Sequence, residues 1–321
     1  MKRLLLVFLL AGCASTPPLR DGWNRIPGGE GTGCSEPGSE FAFFVKPGRA
    51  DRLAIYFDGG GACWNDDTCV TKAAYDPGID EADDPTGRRG LFDLSDARNP
   101  IRDYTIVSIP YCTADVFLGT KTVTYSGKTV RHQGAANAMR ALEWTFDTFR
   151  KPEVVFVFGT SAGAIPSPHY ASLAARRYAS ARVVQLGEAA GAYRSPAIPP
   201  VLSNWGAAPR SFERIYIDAK AAAPRVRFAQ FNTAADRVQG TFLQWLGTPA
   251  ESIPRSIREN MAEIRAADPQ FRAYTAAGNE HLVLTRDSFY TTDVNGVTLA
   301  QWVADLLAGR DVEDVTASDA R

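Results

Sequence analysis

The sequence predicts an α/β fold: a mostly parallel sheet with helices on both faces. Three observations carry this. Apolar runs of strand length alternate with longer stretches of helical spacing, the pattern of successive βαβ units. Several runs, above all Val154-Val155-Phe156-Val157-Phe158, are apolar at every position, as expected of strands buried on both faces. No internal repeat or low-complexity segment breaks the alternation.

The elements follow in order. Lys2 and Arg3 precede an apolar stretch, Leu4–Leu10, much too short to span a bilayer. It ends in Leu10-Ala11-Gly12-Cys13, which resembles a bacterial lipoprotein signal. That resemblance implies a signal peptide over residues 1–12, cleavage before Cys13, lipid on the Cys13 sulfur and export to the cell envelope. Residues 13–33 are then the lipidated cysteine and a tether, and 34–309 a single domain. Strands are expected at Phe41–Val45, Leu53–Phe57 and Tyr104–Ile109. Thr122–Tyr125 and Thr129–Arg131 flank Ser126-Gly127, a hairpin turn. Ala135–Phe149 places Ala138, Leu142, Trp144, Phe146 and Phe149 at helical spacing. Strand Val154–Phe158, helix Ala171–Tyr178 and strand Val183–Leu186 follow. Residues 188–209, rich in Ala, Gly and Pro, form a loop over the site. Arg214–Ala223 is helical, Val226–Phe231 a strand and Phe242–Leu246 part of a helix. Ile257–Ala267 is a helix ending before Pro269, Phe271–Thr275 a strand and Leu299–Leu307 the last helix. Residues 310–321 are a flexible tail.

The 321 residues are 45% hydrophobic and 22% charged, enough for a sizeable core. A formal net charge of -1 argues against nucleic acid as a partner. Apart from Cys13 there are four cysteines, Cys34, Cys63, Cys69 and Cys112, and an even count in an exported chain points to two disulfides. Of three possible pairings, Cys63–Cys69 closes a short local loop, and Cys34–Cys112 would follow. A zinc site is disfavoured, because there is no Cys-x-x-Cys and the histidines lie far from the cysteines in sequence.

The chemistry centres on Gly159-Thr160-Ser161-Ala162-Gly163 between the Val154–Phe158 strand and a helix. Serine is a weak nucleophile and must be presented on a sharp strand-to-helix turn, which is crowded and demands small neighbours. This is the α/β-hydrolase arrangement, and Ser161 is the candidate nucleophile. A base working near neutral pH should be histidine. His132 precedes the nucleophile, and His169 lies on the connection just after it. His281 follows the Phe271–Thr275 strand, where the order Ser…Asp…His places the base. Asp236 follows the Val226–Phe231 strand by a short loop and is the candidate acid. Asp218 lies within a helical segment, and Asp268 sits at a helix end. An oxyanion hole needs backbone N–H groups. Ala162 supplies one, and the loop Asp58-Gly59-Gly60-Gly61-Ala62-Cys63-Trp64-Asn65 the others. The loop lacks the Lys-Ser/Thr ending of a phosphate-cradling loop.

Taken together, the chain resembles the pectin acetylesterase family, which includes the Notum carboxylesterases. The resemblance rests on Gly59-Gly60-Gly61-Ala62-Cys63-Trp64-Asn65, on Ile109-Pro110-Tyr111-Cys112-Thr113-Ala114-Asp115 and on Gln133-Gly134-Ala135-Ala136-Asn137. It rests also on Gly159-Thr160-Ser161-Ala162-Gly163, on Asp236 with Gln239, and on His281. It implies an α/β-hydrolase fold and ester hydrolysis without metal or other cofactor. It implies Ser161, Asp236 and His281 as a triad, Gly60, Gly61 and Ala162 as oxyanion donors, and the Cys63–Cys69 and Cys34–Cys112 pairings. Two positions depart from the family: Gly61 stands where Trp is frequent, and the nucleophile motif ends Gly163-Ala164 rather than Gly-Gly. These leave the acyl group and alcohol open. The expectation is a serine carboxylic ester hydrolase acting through an acyl-enzyme on O-acetyl or other acyl esters, held at a membrane through Cys13. Acyl transfer on the same scaffold and a non-catalytic surface binding lipoprotein are the rivals.

Overall fold

The computed structural model describes residues 18–318. The signal segment 1–12 and Cys13 lie outside the described residues. In chain order the elements are β1 (Asn24–Pro27), β2 (Ala42–Lys46), β3 (Arg49–Phe57), β4 (Tyr104–Ile109), β5 (Lys121–Tyr125), β6 (Lys128–His132) and α1 (Gly134–Thr148). Then come β7 (Val154–Thr160), α2 (Ser167–Arg177), β8 (Arg182–Glu188), α3 (Ile198–Asn204), α4 (Phe212–Ala222), β9 (Arg227–Thr233) and α5 (Arg237–Trp245). The chain finishes with α6 (Ile253–Ala267), β10 (Arg272–Ala276), β11 (Asp293–Val294), β12 (Val297–Thr298), α7 (Leu299–Ala308) and β13 (Val315–Thr316).

Nine strands form one sheet in the order β1-β2-β4-β3-β7-β8-β9-β10-β13. From β4 to β13 every pairing is parallel, while β1–β2 and β2–β4 are antiparallel. The fold is that of an α/β-hydrolase. The apolar runs divide between two cores by the two-residue period of a strand. Leu53, Ile55, Phe57, Val155 and Val157 face one side; Ala54, Tyr56, Val154, Phe156 and Phe158 face the other. Each fully buried Val, Ile or Phe contributes about 1.5–3 kcal/mol. The first core is covered by α1, α2, α4 and α6, with residues of α3 and α5. The second is covered by α7 and by irregular segments around residues 91–104 and 283–294. Helices thus lie on both faces, in unequal number.

Both ends of the domain differ from expectation. The tether expected over 13–33 stops short, because Asn24–Pro27 pairs with Ala42–Val45 at the sheet edge. The tail expected over 310–321 is held as far as it is described. Val315 and Thr316 pair with Tyr274 and Thr275, Val312 and Ala317 are buried, and the Ala273 amide donates to Asp314 Oδ1. A two-residue strand needs no apolar run, so its composition hid it. Residues 188–209 are not all loop, since α3 lies within them. The hairpin β5–β6 forms as expected, apart from the main sheet.

Candidate active site

Strand β7 delivers Ser161 at its carboxyl end, where the chain turns through Ser161–Gly163 before α2. Ser161 has φ +51°, a left-handed conformation that costs a non-glycine residue about 1–3 kcal/mol and persists only where its surroundings impose it. Those surroundings explain the flanking glycines. A Cβ on Gly159 would lie 2.2 Å from the Gly163 carbonyl oxygen, and one on Gly163 would lie 2.1 Å from that of Phe57. The turn is thus packed backbone against backbone, between β7 and the end of β3.

The loop after β3 lies against the serine: a Cβ on Gly59 would be 3.2 Å from Ser161 Cβ. Asp58 fixes the start of this loop, accepting from Tyr56 Oη, the Gly59 amide and Arg88 Nη1 at 2.7, 2.8 and 2.6 Å. Gly61 faces Tyr75 in an isolated antiparallel bridge. Its hydrogen bonds run from the Ala62 amide to Ala74 and from Asp76 to the Gly60 carbonyl. In that pairing the N–H of Gly61 itself points away from its partner. Gly61 has φ +78°, and a Cβ there would stand 2.1 Å from the Ala74 carbonyl oxygen. Among the described residues, no backbone acceptor takes the amides of Gly60, Gly61 or Ala162.

Asp236 and His281 meet from separate strands. Asp236 follows β9, caps α5 and is fully buried. Its carboxylate accepts from the Val238 amide (2.9 Å), the Gln239 amide (3.1 Å) and Gln239 Nε2 (2.9 Å). Gln239 in turn accepts from the Ala192 amide at 2.8 Å. His281 lies on the loop after β10, and its Nδ1 is 2.8 Å from Asp236 Oδ2. An acceptor-only carboxylate there makes Nδ1 the donor, leaving Nε2 with a free lone pair. Among the described residues no hydrogen bond joins the Ser161 hydroxyl to His281. Such bonds are commonly long in unliganded sites and tighten with substrate.

The rejected candidates have other partners. His132 is buried, with Nδ1 3.1 Å from the Thr113 carbonyl oxygen and Nε2 2.9 Å from Tyr125 Oη. Burial pushes it down to about 4. His169 is exposed on α2. Asp218 pairs with Arg210 and Arg214 at 3.1 and 2.7 Å on α4. Asp268 ends α6 and pairs with Lys220 at 3.0 Å.

Ser161, Ala162 and Gly61 line a cavity of about 480 Å³, counting its open mouth. The rest of its wall is apolar and largely aromatic, with Trp64, Tyr193, Trp205, Phe212 and Phe242, and with Ile198, Val201 and Leu202 of α3. Asp236 and His281 are not part of that wall. Val116 also lines it, from a turn in which Ala114, Val116 and Phe117 have φ of 60°, 48° and 57°. Buried Asp115 holds that turn, accepting from Thr113 Oγ1, the Phe117 amide and the Gly134 amide. The disulfides pair Cys34 with Cys112 and Cys63 with Cys69; the second closes the segment after the glycine loop. Sequence reasoning missed most of the aromatic wall, whose members come from distant segments, and it missed Arg88 beneath the glycine loop. Among the described residues, no three His, Cys, Asp or Glu side chains are arranged to hold a metal ion.

Comparison with known proteins adds three findings. The family model described as Pectinacetylesterase matches residues 29–195. The palmitoleoyl-protein carboxylesterase NOTUM of Schmidtea mediterranea is 25% identical over 154 residues, which are 44% of this chain. The match spans only 28% of that relative's length. A solved structure of the Wnt deacylase Notum from Drosophila superposes with a TM-score of 0.64, covering 88% of this chain and 93% of that one. At 14% identity this shows a shared fold.

Proposed function

Because the chain belongs to the pectinacetylesterase family, we propose that it is a serine carboxylic ester hydrolase acting through an acyl-enzyme. The observation that carries the reading is the 2.8 Å hydrogen bond between His281 Nδ1 and Asp236 Oδ2. It joins residues from two strand ends and leaves the other imidazole nitrogen free to accept a proton.

In this reading Ser161 Oγ attacks the ester carbonyl carbon while its proton passes to His281 Nε2. Asp236 keeps the imidazole in the required tautomer and stabilises the imidazolium. The amides of Gly60, Gly61 and Ala162 receive the oxyanion. The protonated His281 gives its proton to the departing alcohol, and water, activated by the same nitrogen, releases the acid. The apolar wall beside Ser161 suits an uncharged acyl group, and the relative named for palmitoleoyl-protein hydrolysis makes aliphatic acyl esters worth testing beside acetyl esters. The catalytic domain would run from β1 to β13. Two disulfides favour an oxidising compartment, consistent with export and a membrane anchor at Cys13. Among the described residues no helix is long and apolar enough to cross a membrane.

A fluorophosphonate probe should label the wild-type protein at Ser161 and leave Ser161→Ala unlabelled. Ser161→Ala should also lose at least about three orders of magnitude in turnover on a panel of p-nitrophenyl esters from acetyl to palmitoyl, with Tm nearly unchanged. A tenth of wild-type turnover remaining in Ser161→Ala would exclude this serine as nucleophile.

A further inference from the structure

Glu188, the last residue of β8, is a fully buried carboxyl that the catalytic reading does not use. In the sheet it lies beside Thr160, the residue before Ser161. Its Oε1 accepts two successive amides, those of Val283 and Leu284, the latter at 3.0 Å. These lie two and three residues beyond His281. The near side of the same loop is held by Thr233 Oγ1, which donates to the Glu280 carbonyl at 2.6 Å. The far side is also fixed by the Leu91 amide, which donates to the Leu284 carbonyl at 2.8 Å, and by burial of Val283 and Leu284 in the second core; Glu188 is the side chain that takes its two amides.

We propose that Glu188 is a positioning residue for His281, its Oε1 clamping the 283–284 amides so that the imidazole meets Ser161 at a fixed distance. This rests on the serine esterase reading above. Burial pushes the Glu188 carboxyl up to about 8; the Val283 and Leu284 amides act against this, and the nearby Asp236 and Glu280 charges act with it. The two neighbouring strand ends offer only the neutral Thr160 and Phe231. A carboxyl raised that far is mainly protonated at pH 7: Oε1 accepts both amides, and Oε2, which then carries the proton, is buried without a hydrogen-bond partner. Ionisation would place charge on that unpartnered oxygen, which water could solvate only by opening the loop.

Glu188→Gln keeps a carbonyl oxygen for the two amides, whereas Glu188→Met keeps the length and loses the acceptor. Kinetics with p-nitrophenyl acetate over pH 5–9.5 should leave Gln within about threefold of wild-type kcat at pH 7. Met should lose about 10- to 100-fold in kcat, the scale of an ångström-level misplacement, with KM within about threefold. The wild-type kcat should decline above pH 8, and Gln should lack that decline. Hydrogen exchange at the Val283 and Leu284 amides, which does not depend on turnover, should be slow in wild type and Gln and fast in Met. Wild-type kcat in the Met variant, or equal exchange in all three proteins, would overturn the proposal. If Met does not fold, an alkaline decline unchanged in Gln overturns it, and loss of the decline supports it. Failure of the wild-type protein to take the fluorophosphonate label would instead sink the esterase reading, leaving the exchange result to judge the clamp.

Discussion

The carboxylate of Asp236 accepts four hydrogen bonds, three of them from the first turn of α5. It is therefore oriented before any substrate arrives. Asp236→Asn should lower turnover by about 10³- to 10⁴-fold, since an amide facing Nδ1 favours the wrong tautomer. Asp218→Asn, which only releases surface ion pairs with Arg210 and Arg214, should change turnover less than twofold. The reverse ranking in a kcat comparison would show that the acid had been misassigned. At this scale the choice made from the sequence rests on chain order. Only three histidines exist, and only His281 follows the penultimate strand of the sheet. The sequence was silent about Glu188. Nothing local marks a glutamate at a strand end as the acceptor for amides 95 and 96 residues away. Arg88, 30 residues from Asp58, was hidden for the same reason.

Strands and helices with strong periodicity were legible, α2 and α6 among them except for their proline-bearing first turns; α3 and the shortest strands were not. Pro168, Pro199 and Pro254 each stand in the first turn of a helix, in α2, α3 and α6. There the missing N–H costs nothing, but in the sequence they read as breakers. Strands β1 and β13, with four and two residues, are too short to show alternation. The glycine loop shows the opposite case, legible in sequence and explained by structure: Gly61 has no room for a side chain beside the Ala74 carbonyl. Its staple, Cys63–Cys69, spans a sequence separation of 6, against 78 for Cys34–Cys112. Loop-closure entropy then assigns about 2 kcal/mol to the first and about 4.5 kcal/mol to the second. The Cys63→Ala/Cys69→Ala protein should stay folded and lose turnover more than substrate affinity, because the proposed oxyanion amides lose their support. The Cys34→Ala/Cys112→Ala protein should show the larger fall in denaturation midpoint. A larger fall for the short-loop variant would contradict this ordering.

Across the whole molecule, buried ionisable groups set how stability responds to pH. Burial pushes Asp115 up to about 7 and Glu188 up to about 8, whereas unfolded carboxyls titrate near 4. Between those limits the folded chain binds more protons than the unfolded chain, so stability falls as pH rises. His132, pushed down to about 4, acts with the opposite sign, but only below about 6.5, where its unfolded form titrates. Between pH 6.5 and 8 the carboxyl effect therefore stands without that opposition, and Tm should decline. Calorimetry showing a flat or rising Tm across that window would refute this balance, and Glu188→Gln should make the decline shallower. The Cys34–Cys112 bond has a further, mechanical consequence. Tension applied at the amino-terminal end enters through β1 and reaches Cys34, where it can cross directly to Cys112. Once β1 is stripped from β2, tension along the chain passes around β2, β3, β4 and the glycine loop through this covalent bypass. In a force spectrometer, reduction of that bond alone should lengthen the unfolded chain by about 240 Å: of its 78 residues, the 6 spanned by Cys63–Cys69 stay closed, and the rest extend at roughly 3.3 Å each. Were the protein anchored through its first residues, as proposed, the glycine loop would be shielded from that pull.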